Sequence, residues 1–328
     1  MNILVFSTVF YPGIGGIENQ TLLLIKEFIS KGHTVKVITA QLQTVPLKDI
    51  TVYCRPGIIK SIQLFLWCTT YYMPNISLKG IWLLLLNPRK RWIISHNDFS
   101  SCNRRGAIPA LKNIANKFCS KNIAVSESIA NYLGSSAAVI YNGYDNAIFR
   151  LYHDENRTYD FVFLGRLVSQ KGCDLLINAC SELKRPFSLC IIGTGPEENR
   201  LKKLSESLGL SESIEFKGLL TGEQLARTLN RCRVMVVPSV KGEGFGMVAL
   251  EGLACGCRII AADAAGLSEA VSNHGKMFEM GNQQELTRLL QESFDYSVMD
   301  LSTQEEKKAH LMKHSKSVVA DNYLKYFN

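Results

Sequence analysis

The chain has 328 residues, more than one domain of about 100–200 residues needs, so two domains are expected. Hydrophobic residues make up 46% and charged residues 20%, which excludes a largely disordered chain and allows a core without disulfide or metal staples. The net charge of +8 is uneven, with +10 over residues 1–150 and −2 over residues 151–328.

Asn2–Ser7 reads as a short buried strand rather than a signal peptide, because no basic segment precedes its apolar run. A loop over Thr8–Glu18 carries Pro12, Gly13, Gly15 and Gly16. An amphipathic helix follows from about Ile17 to Ser30, and Thr34–Thr39 is a second buried strand. That unit implies a right-handed parallel crossover. Further strands are expected at 91–95 and 122–125, with a helix at 106–119 between them. The longest aliphatic and aromatic run, Ile81–Leu86, is far short of the roughly 20 residues that cross a bilayer.

Leu151–Tyr159 is polar and charged, as suits a linker. Beyond it, strands are expected at Asp160–Leu164, Ser188–Ile192, Ser213–Phe216, Val234–Pro238 and Arg258–Ala262. Helices are expected at 172–183, 196–208, 222–231 and 246–254. The alternation on both sides of the linker predicts an α/β chain of two doubly wound parallel sheets. Ligands of such sheets bind beyond the strand carboxyl ends, so the active site is expected in a cleft between the domains. A last helical segment, about Glu305–Phe327, has Val318, Val319, Tyr323 and Leu324 on an apolar side.

The ten cysteines are scattered, and Cys68, Cys180 and Cys190 sit in apolar runs. They read as buried reduced thiols of a cytoplasmic protein rather than ligands or bridges. Lys79, Arg89, Lys90, Arg91, Arg104, Arg105, Lys112, Lys117 and Lys121 concentrate charge near Trp67, Tyr71, Tyr72, Trp82 and Trp92. Such a surface suits anionic lipid or a phosphorylated ligand; alternatively, it is a solvated face beside core aromatics.

Two glycine loops follow strands, Gly13-Ile14-Gly15-Gly16 and Gly193-Thr194-Gly195-Pro196. Neither has the spacing of a dinucleotide fingerprint, and no acid ends the second strand. Either loop could aim helix-start N–H groups at an anion, or could be a tight turn.

The deciding stretch is Pro238-Ser-Val-Lys-Gly-Glu243-Gly-Phe-Gly-Met-Val-Ala-Leu-Glu251-Gly. It places one acid in a loop and a second about one turn inside the following helix. The pair could flank a sugar whose anionic neighbour meets amides near Phe245–Val248. Upstream, Gly165-Arg166-Leu-Val-Ser-Gln-Lys171-Gly172 puts a guanidinium and an ammonium in one loop, both suited to phosphate oxygens. At 4 Å and an effective dielectric near 20, each such contact is worth roughly 4 kcal/mol before desolvation.

With these motifs the chain resembles the retaining, nucleotide-sugar-dependent glycosyltransferases of family GT4. Glu243 and Glu251 match the E-x7-E motif of that family, and Gly165-Arg166 with Lys171-Gly172 match its diphosphate-binding loop. Gly15-Gly16-Ile17-Glu18, Val125-Ser126-Glu127-Ser128, Ile140–Asp145 and Gly193–Pro196 look like its other recurring segments. The likeness runs over about residues 1–275 and is weakest at 41–90.

The resemblance implies a GT-B fold of two Rossmann-like domains facing a central cleft. Residues 1–152 are then the acceptor domain, joined by a helix at about 315–328, and 153–314 the donor domain. It also implies that Glu251 binds the donor ribose and Glu243 contacts the transferred sugar. Arg166 and Lys171 neutralise the leaving diphosphate, aided by amides at Gly15, Gly16, Gly193 and the Gly244-Phe245-Gly246 loop. His96 stands where the family often has a cleft histidine, touching donor sugar or acceptor, unless it is a satisfied structural residue. No D-x-D triplet occurs, so no metal and no cofactor beyond the UDP- or GDP-sugar are expected. Gly256-Cys257-Arg258 replaces the family's Gly-x-Pro.

The expected protein is a metal-independent hexosyltransferase of lipopolysaccharide or other cell-surface glycan synthesis. It is expected to be a cytoplasmic monomer or weak dimer, peripheral on the inner face of the plasma membrane. Its expected partners are a glycan or lipid-linked acceptor and an anionic membrane, with no nucleic acid. A soluble sugar-phosphate or thiol glycoside synthase is the same-class alternative. A catalytically silent nucleotide-sugar-binding protein is the other.

Overall fold

The computed structural model describes residues 1–13, 15–42, 45–99, 107–134, 137–295 and 302–327. Two compact units emerge, Met1–Gly143 with Ser315–Asn328, and Tyr144–His314. Residues 144–152 therefore belong to the second unit, where the linker expectation had left them in the first. Hydrogen bonds explain this. Tyr144 N–H donates to the His314 carbonyl at 3.0 Å. Tyr152 N–H donates to Asn230 Oδ1 at 2.9 Å, and Asn230 Nδ2 returns a bond to the Arg150 carbonyl at 2.8 Å.

The first unit is a seven-stranded parallel sheet. Its strands are β1 (Asn2–Ser7), β2 (Thr34–Thr39), β3 (Thr51–Cys54), β4 (Thr70–Pro74), β5 (Arg91–His96), β6 (Lys121–Ala124) and β7 (Ala138–Val139). They lie in the order β3-β2-β1-β4-β5-β6-β7. β1 pairs on both sides, Val5 facing Val37 of β2 and Tyr72 of β4. Alternate residues of β1 enter separate cores, Ile3 and Val5 in one and Leu4 and Phe6 in the other. That is why the strand reads as an unbroken apolar run. On the Ile3 face, the helix Lys316–Phe327 packs against Gly16–Ser30, with Phe28 and Phe327 rings 5.2 Å apart.

Residues 41–90 hold more structure than their sequence suggested: β3, the helix Ile58–Trp67, β4, and a short helix Leu78–Ile81 continuing as a 3-10 turn to Leu85. β3 is a half-covered edge strand and lacks the apolar alternation that marks its neighbours. Pro74 is tolerated because it closes β4. The helix Glu127–Leu133 is likewise unforeseen, although Ser126 Oγ caps it by accepting from Ile129 N–H at 3.2 Å.

The second unit is a six-stranded parallel sheet of β8 (Tyr159–Leu164), β9 (Leu189–Ile192), β10 (Ile214–Gly218), β11 (Cys232–Val237), β12 (Arg258–Ala262) and β13 (Gly275–Phe278). Its order is β10-β9-β8-β11-β12-β13. Winding reverses between β8 and β11, so the loops after these strands leave the carboxyl edge in opposite senses and open a crevice there. The expected strands and helices of this unit recur within a few residues. β13 and the helices Ala265–Val271 and Gln283–Glu292 are additions.

The expected single terminal helix is two, Gln304–Lys313 in the second unit and Lys316–Phe327 in the first. The Thr303–Glu306 capping box starts the former. Among the described residues all nine cysteines are free and no helix is long and apolar enough to cross a membrane. The Gly256 turn, at φ +77°, is closed by Arg157, which donates to the Cys255 carbonyl at 2.9 Å.

Candidate active site

The expected diphosphate loop and the E-x7-E loop meet at the β8/β11 reversal. Gly172 makes this possible. Its φ is +66°, and a Cβ there would stand 2.0 Å from the Pro238 carbonyl oxygen, so only glycine lets the two loops touch. Val240 N–H then donates to the Gln170 carbonyl at 3.0 Å and fixes their register. The result is an ion pair, Lys171 Nζ to Glu243 Oε1 at 2.5 Å, with Glu243 the more enclosed partner. Ser239 Oγ donates to the same carboxylate oxygen at 2.6 Å. Lys171 and Glu243, 72 residues apart in sequence, are thus one unit of chemistry.

Glu251 lies on the helix Met247–Ala254. It is only half-buried by surface, yet protein atoms crowd its carboxyl closely enough that desolvation pushes its pKa from 4.5 up to about 8. No side-chain partner holds it among the described residues. In the neutral protein this acid keeps its proton and can both donate to and accept from a hydroxyl. The helix start in front of it has Gly246 as N-cap, at φ +93°, with no side-chain cap. Gly244 and Phe245 are pressed close to the next helix, where a Cβ on Gly266 would come within 2.1 Å of the Gly244 carbonyl oxygen.

Arg166 is exposed and forms no ion pair among the described residues. The structure brings Lys171 to Glu243 but leaves the Arg166 guanidinium free of both. Gly193 has a packing duty, since a Cβ there would sit 1.9 Å from the Gly165 carbonyl oxygen. Leu167 N–H donates to the Thr194 carbonyl at 2.9 Å, so this glycine turn braces the Arg166 loop.

In the first unit, Gly15 is the N-cap of Gly16–Ser30, again without a side-chain cap. The Glu18 carboxylate folds against it, 2.5 Å from where a Cβ would stand. His96 requires a correction. It is fully buried, its Nε2 is 2.8 Å from Asn122 Oδ1, and burial lowers its pKa. It is a core residue of the sheet's carboxyl edge and presents no ring atom to a ligand. Asp98 is held by Asn75 Nδ2 at 3.2 Å.

Two features went unrecognised in the sequence. One is a cavity of about 380 Å³ in the first unit, with Phe6, Ile38, Arg55, Lys79 and Trp82 in its wall and no acid. It gathers residues from four separate segments, so no local pattern announces it. The other is a stack of imidazoles behind Phe245: its ring is 5.4 Å from His314, which is 4.8 Å from His310, which is 4.5 Å from His274. His310 and His314 stand one helical turn apart in the sequence, and the helix Gln304–Lys313 lying on Met247–Ala254 brings them to His274 and Phe245.

Tyr71, Tyr72 and Trp92 are core residues rather than an exposed aromatic surface, while Trp67 and Trp82 are half-buried. Arg104 and Arg105 lie outside the described residues.

Comparison with known proteins bears on the fold and the family. An uncharacterised glycosyltransferase of Methanocaldococcus jannaschii is 37% identical over 173 residues, 51% of this chain and 47% of that protein. D-inositol 3-phosphate glycosyltransferase of Acidothermus cellulolyticus is 35% identical over 123 residues, 34% of this chain and 27% of its own. The chain thus spans less than half the length of these curated relatives. In fold, it matches HepE of Anabaena, solved in complex with UDP, with a TM-score of 0.83, 19% identity and 99% coverage of both chains. Two Rossmann-like units of seven and six parallel strands make this a GT-B fold. The family described as glycosyl transferases group 1 matches residues 146–310, which hold Arg166, Lys171, Glu243 and Glu251, and the chain belongs to that family.

Proposed function

We propose that the protein is a retaining glycosyltransferase that moves a sugar from a UDP- or GDP-sugar to an acceptor hydroxyl. The observation that carries this reading is the Lys171–Glu243 pair at the β8/β11 reversal. A carboxylate that already holds an ammonium at 2.5 Å keeps a cation where a departing diphosphate needs one. Arg166, free on the same loop, adds a second charge with a planar fork. The uncapped helix start at Gly246 offers N–H groups to the same anion.

In this reading Glu243 contacts the transferred sugar, and Glu251 takes the ribose hydroxyls in its protonated form. Fixed cations stabilise the leaving group, and the departing phosphate assists deprotonation of the acceptor on the same face. HepE, solved with UDP, supports a uridine donor. His96 has no part in the chemistry. The acceptor is a glycan or lipid-linked molecule of cell-surface glycan synthesis. The first unit's cavity, apolar with Arg55 and Lys79 in its wall, suits an acceptor with an anionic group on an apolar body.

Nucleotide release from a panel of UDP- and GDP-sugars tests the reading. Wild type should turn over one donor, and Lys171→Ala and Glu243→Ala should lose that activity. Equal turnover in all three proteins would remove the site assignment.

A further inference from the structure

The loop that carries Glu243 is supported on two sides from one helix. Phe245, two residues after Glu243, is 2% exposed, and its ring lies 5.4 Å from the His314 ring. His314 follows the helix Gln304–Lys313 as its C-cap, and its backbone is fixed. Its N–H donates to the Leu311 carbonyl at 3.1 Å, and its carbonyl accepts from Tyr144 N–H at 3.0 Å. Tyr144 and His314 are the first and last residues of the second unit, so the ring stands on an anchored stretch of chain.

The other support is indirect. Gly244 and Gly246 rest on the helix Ala265–Val271. A Cβ on Gly266 would come within 2.1 Å of the Gly244 carbonyl oxygen, and one on Gly246 within 2.5 Å of Leu267 Cδ1. Near its carboxyl end that helix presents the Ala270 carbonyl to His310 Nε2 at 2.8 Å. A carbonyl only accepts, so Nε2 carries the ring proton. The His310 and His314 rings are 4.8 Å apart and thus hold Phe245 and the helix beneath its loop in one register. Glycine backbones are permissive, so the one side chain between Gly244 and Gly246 carries the geometry of the turn.

We propose that His310 and His314 are positioning residues of the donor site. They fix the Gly244–Gly246 turn, and with it the Glu243 carboxylate on one side and the helix start at Gly246 on the other. They act through Phe245 and Ala270 rather than by contact with the donor. This deepens the donor-site reading and rests on it. His274 stands one ring further from Phe245, 4.5 Å from His310, with Nδ1 2.8 Å from Ser302 Oγ, and is the control.

Steady-state donor kinetics and amide hydrogen exchange, both on the full chain, test the proposal. His310→Ala and His314→Ala should each lower kcat/KM for the donor about fivefold, the worth of one buried hydrogen bond or one ring pair. His310→Gln can still donate to the Ala270 carbonyl, and His314→Phe keeps a ring against Phe245, so both should restore wild-type kinetics. His274→Ala should lower stability in urea and leave the kinetics unchanged. Exchange of the amides of residues 244–248, read by mass spectrometry without donor, should quicken by the same factor in His310→Ala and His314→Ala, because local opening sets its rate. Unchanged kinetics or exchange in those two variants, no recovery in His310→Gln and His314→Phe, or equal effects in His274→Ala would overturn the proposal. A wild type that turns over no donor removes the donor-site reading instead, and the exchange measurement still decides whether the two histidines seat the loop.

Discussion

Two groups of cations, one in each unit, are treated in opposite ways. In the second unit Lys171 is held by Glu243, Arg200 by Asp174 and Glu197, and Arg227 by Asp154, Glu155 and Glu223. In the first, Lys31 and Lys316 find acids, but Arg89, Arg91, Lys121 and Lys325 share one basin with none. A paired cation is already oriented and gains little from a bulk anion, so it suits one ligand in one geometry. An unpaired cluster is not preset to one geometry. Net charge alone, +10 over residues 1–150 against −2 over residues 151–328, could not have told these arrangements apart.

The comparison breaks most sharply at the ion pair. Lys171→Ala and Glu243→Ala should each lower transfer by about 10²–10³-fold, the usual cost of one preorganised charge at a developing anion. Single-turnover assays with saturating donor would check this. Next in size, Gly172→Ala forces a non-glycine residue to φ +66° and a Cβ against the Pro238 carbonyl. It should cost about 2 kcal/mol or more in urea unfolding and separate Lys171 from Glu243, so stability and activity fall together.

A third test addresses the buried polar pair of the first unit. Asn122→Ala removes the contact of Asn122 Oδ1 with His96 Nε2 and should cost about 1–3 kcal/mol in the same assay. Burial depresses the His96 pKa, so the unfolded chain takes up a proton as pH falls through about 6.5 while the native chain does not. Stability from this residue is therefore present at neutral pH and lost as pH falls toward its folded pKa. An unfolding profile flat over that range in wild type would contradict the assignment.

A fourth test, read as a slope against pH, concerns Glu251. Its native pKa of about 8 lies above the ordinary 4.5, so unfolding releases a proton between those values. Stability should then decline as pH rises through that window, by at most about 1.4 kcal/mol per pH unit, and level off above it. Glu251→Gln should remove the slope.

Much of the second unit was legible in the chain. Its strands are apolar runs ended by glycine loops, and E-x7-E is a local pattern with a fixed spacing. Residues 41–90 were not legible. Their edge strand lacks alternation, and the run Ile76–Leu86 has no periodicity that separates strand from helix. His96 misled because a histidine at a strand's carboxyl end looks alike whether it faces a ligand or a neighbour. Burial and the contact with Asn122, 26 residues away, place it in the core.

Local sequence therefore determined the alternating strands and helices, the two-domain count, and which residue types could handle a diphosphate and a sugar. The tertiary structure decided which of them meet. Contact between Lys171 and Glu243 depends on a sheet reversal and a glycine pressed on a carbonyl 66 residues away, and the four-cation basin depends on a terminal helix returning to the first sheet. Charge and hydrophobicity are properties of single residues and survive in the sequence. Distance between side chains is a property of the whole packed chain and appears only when it folds.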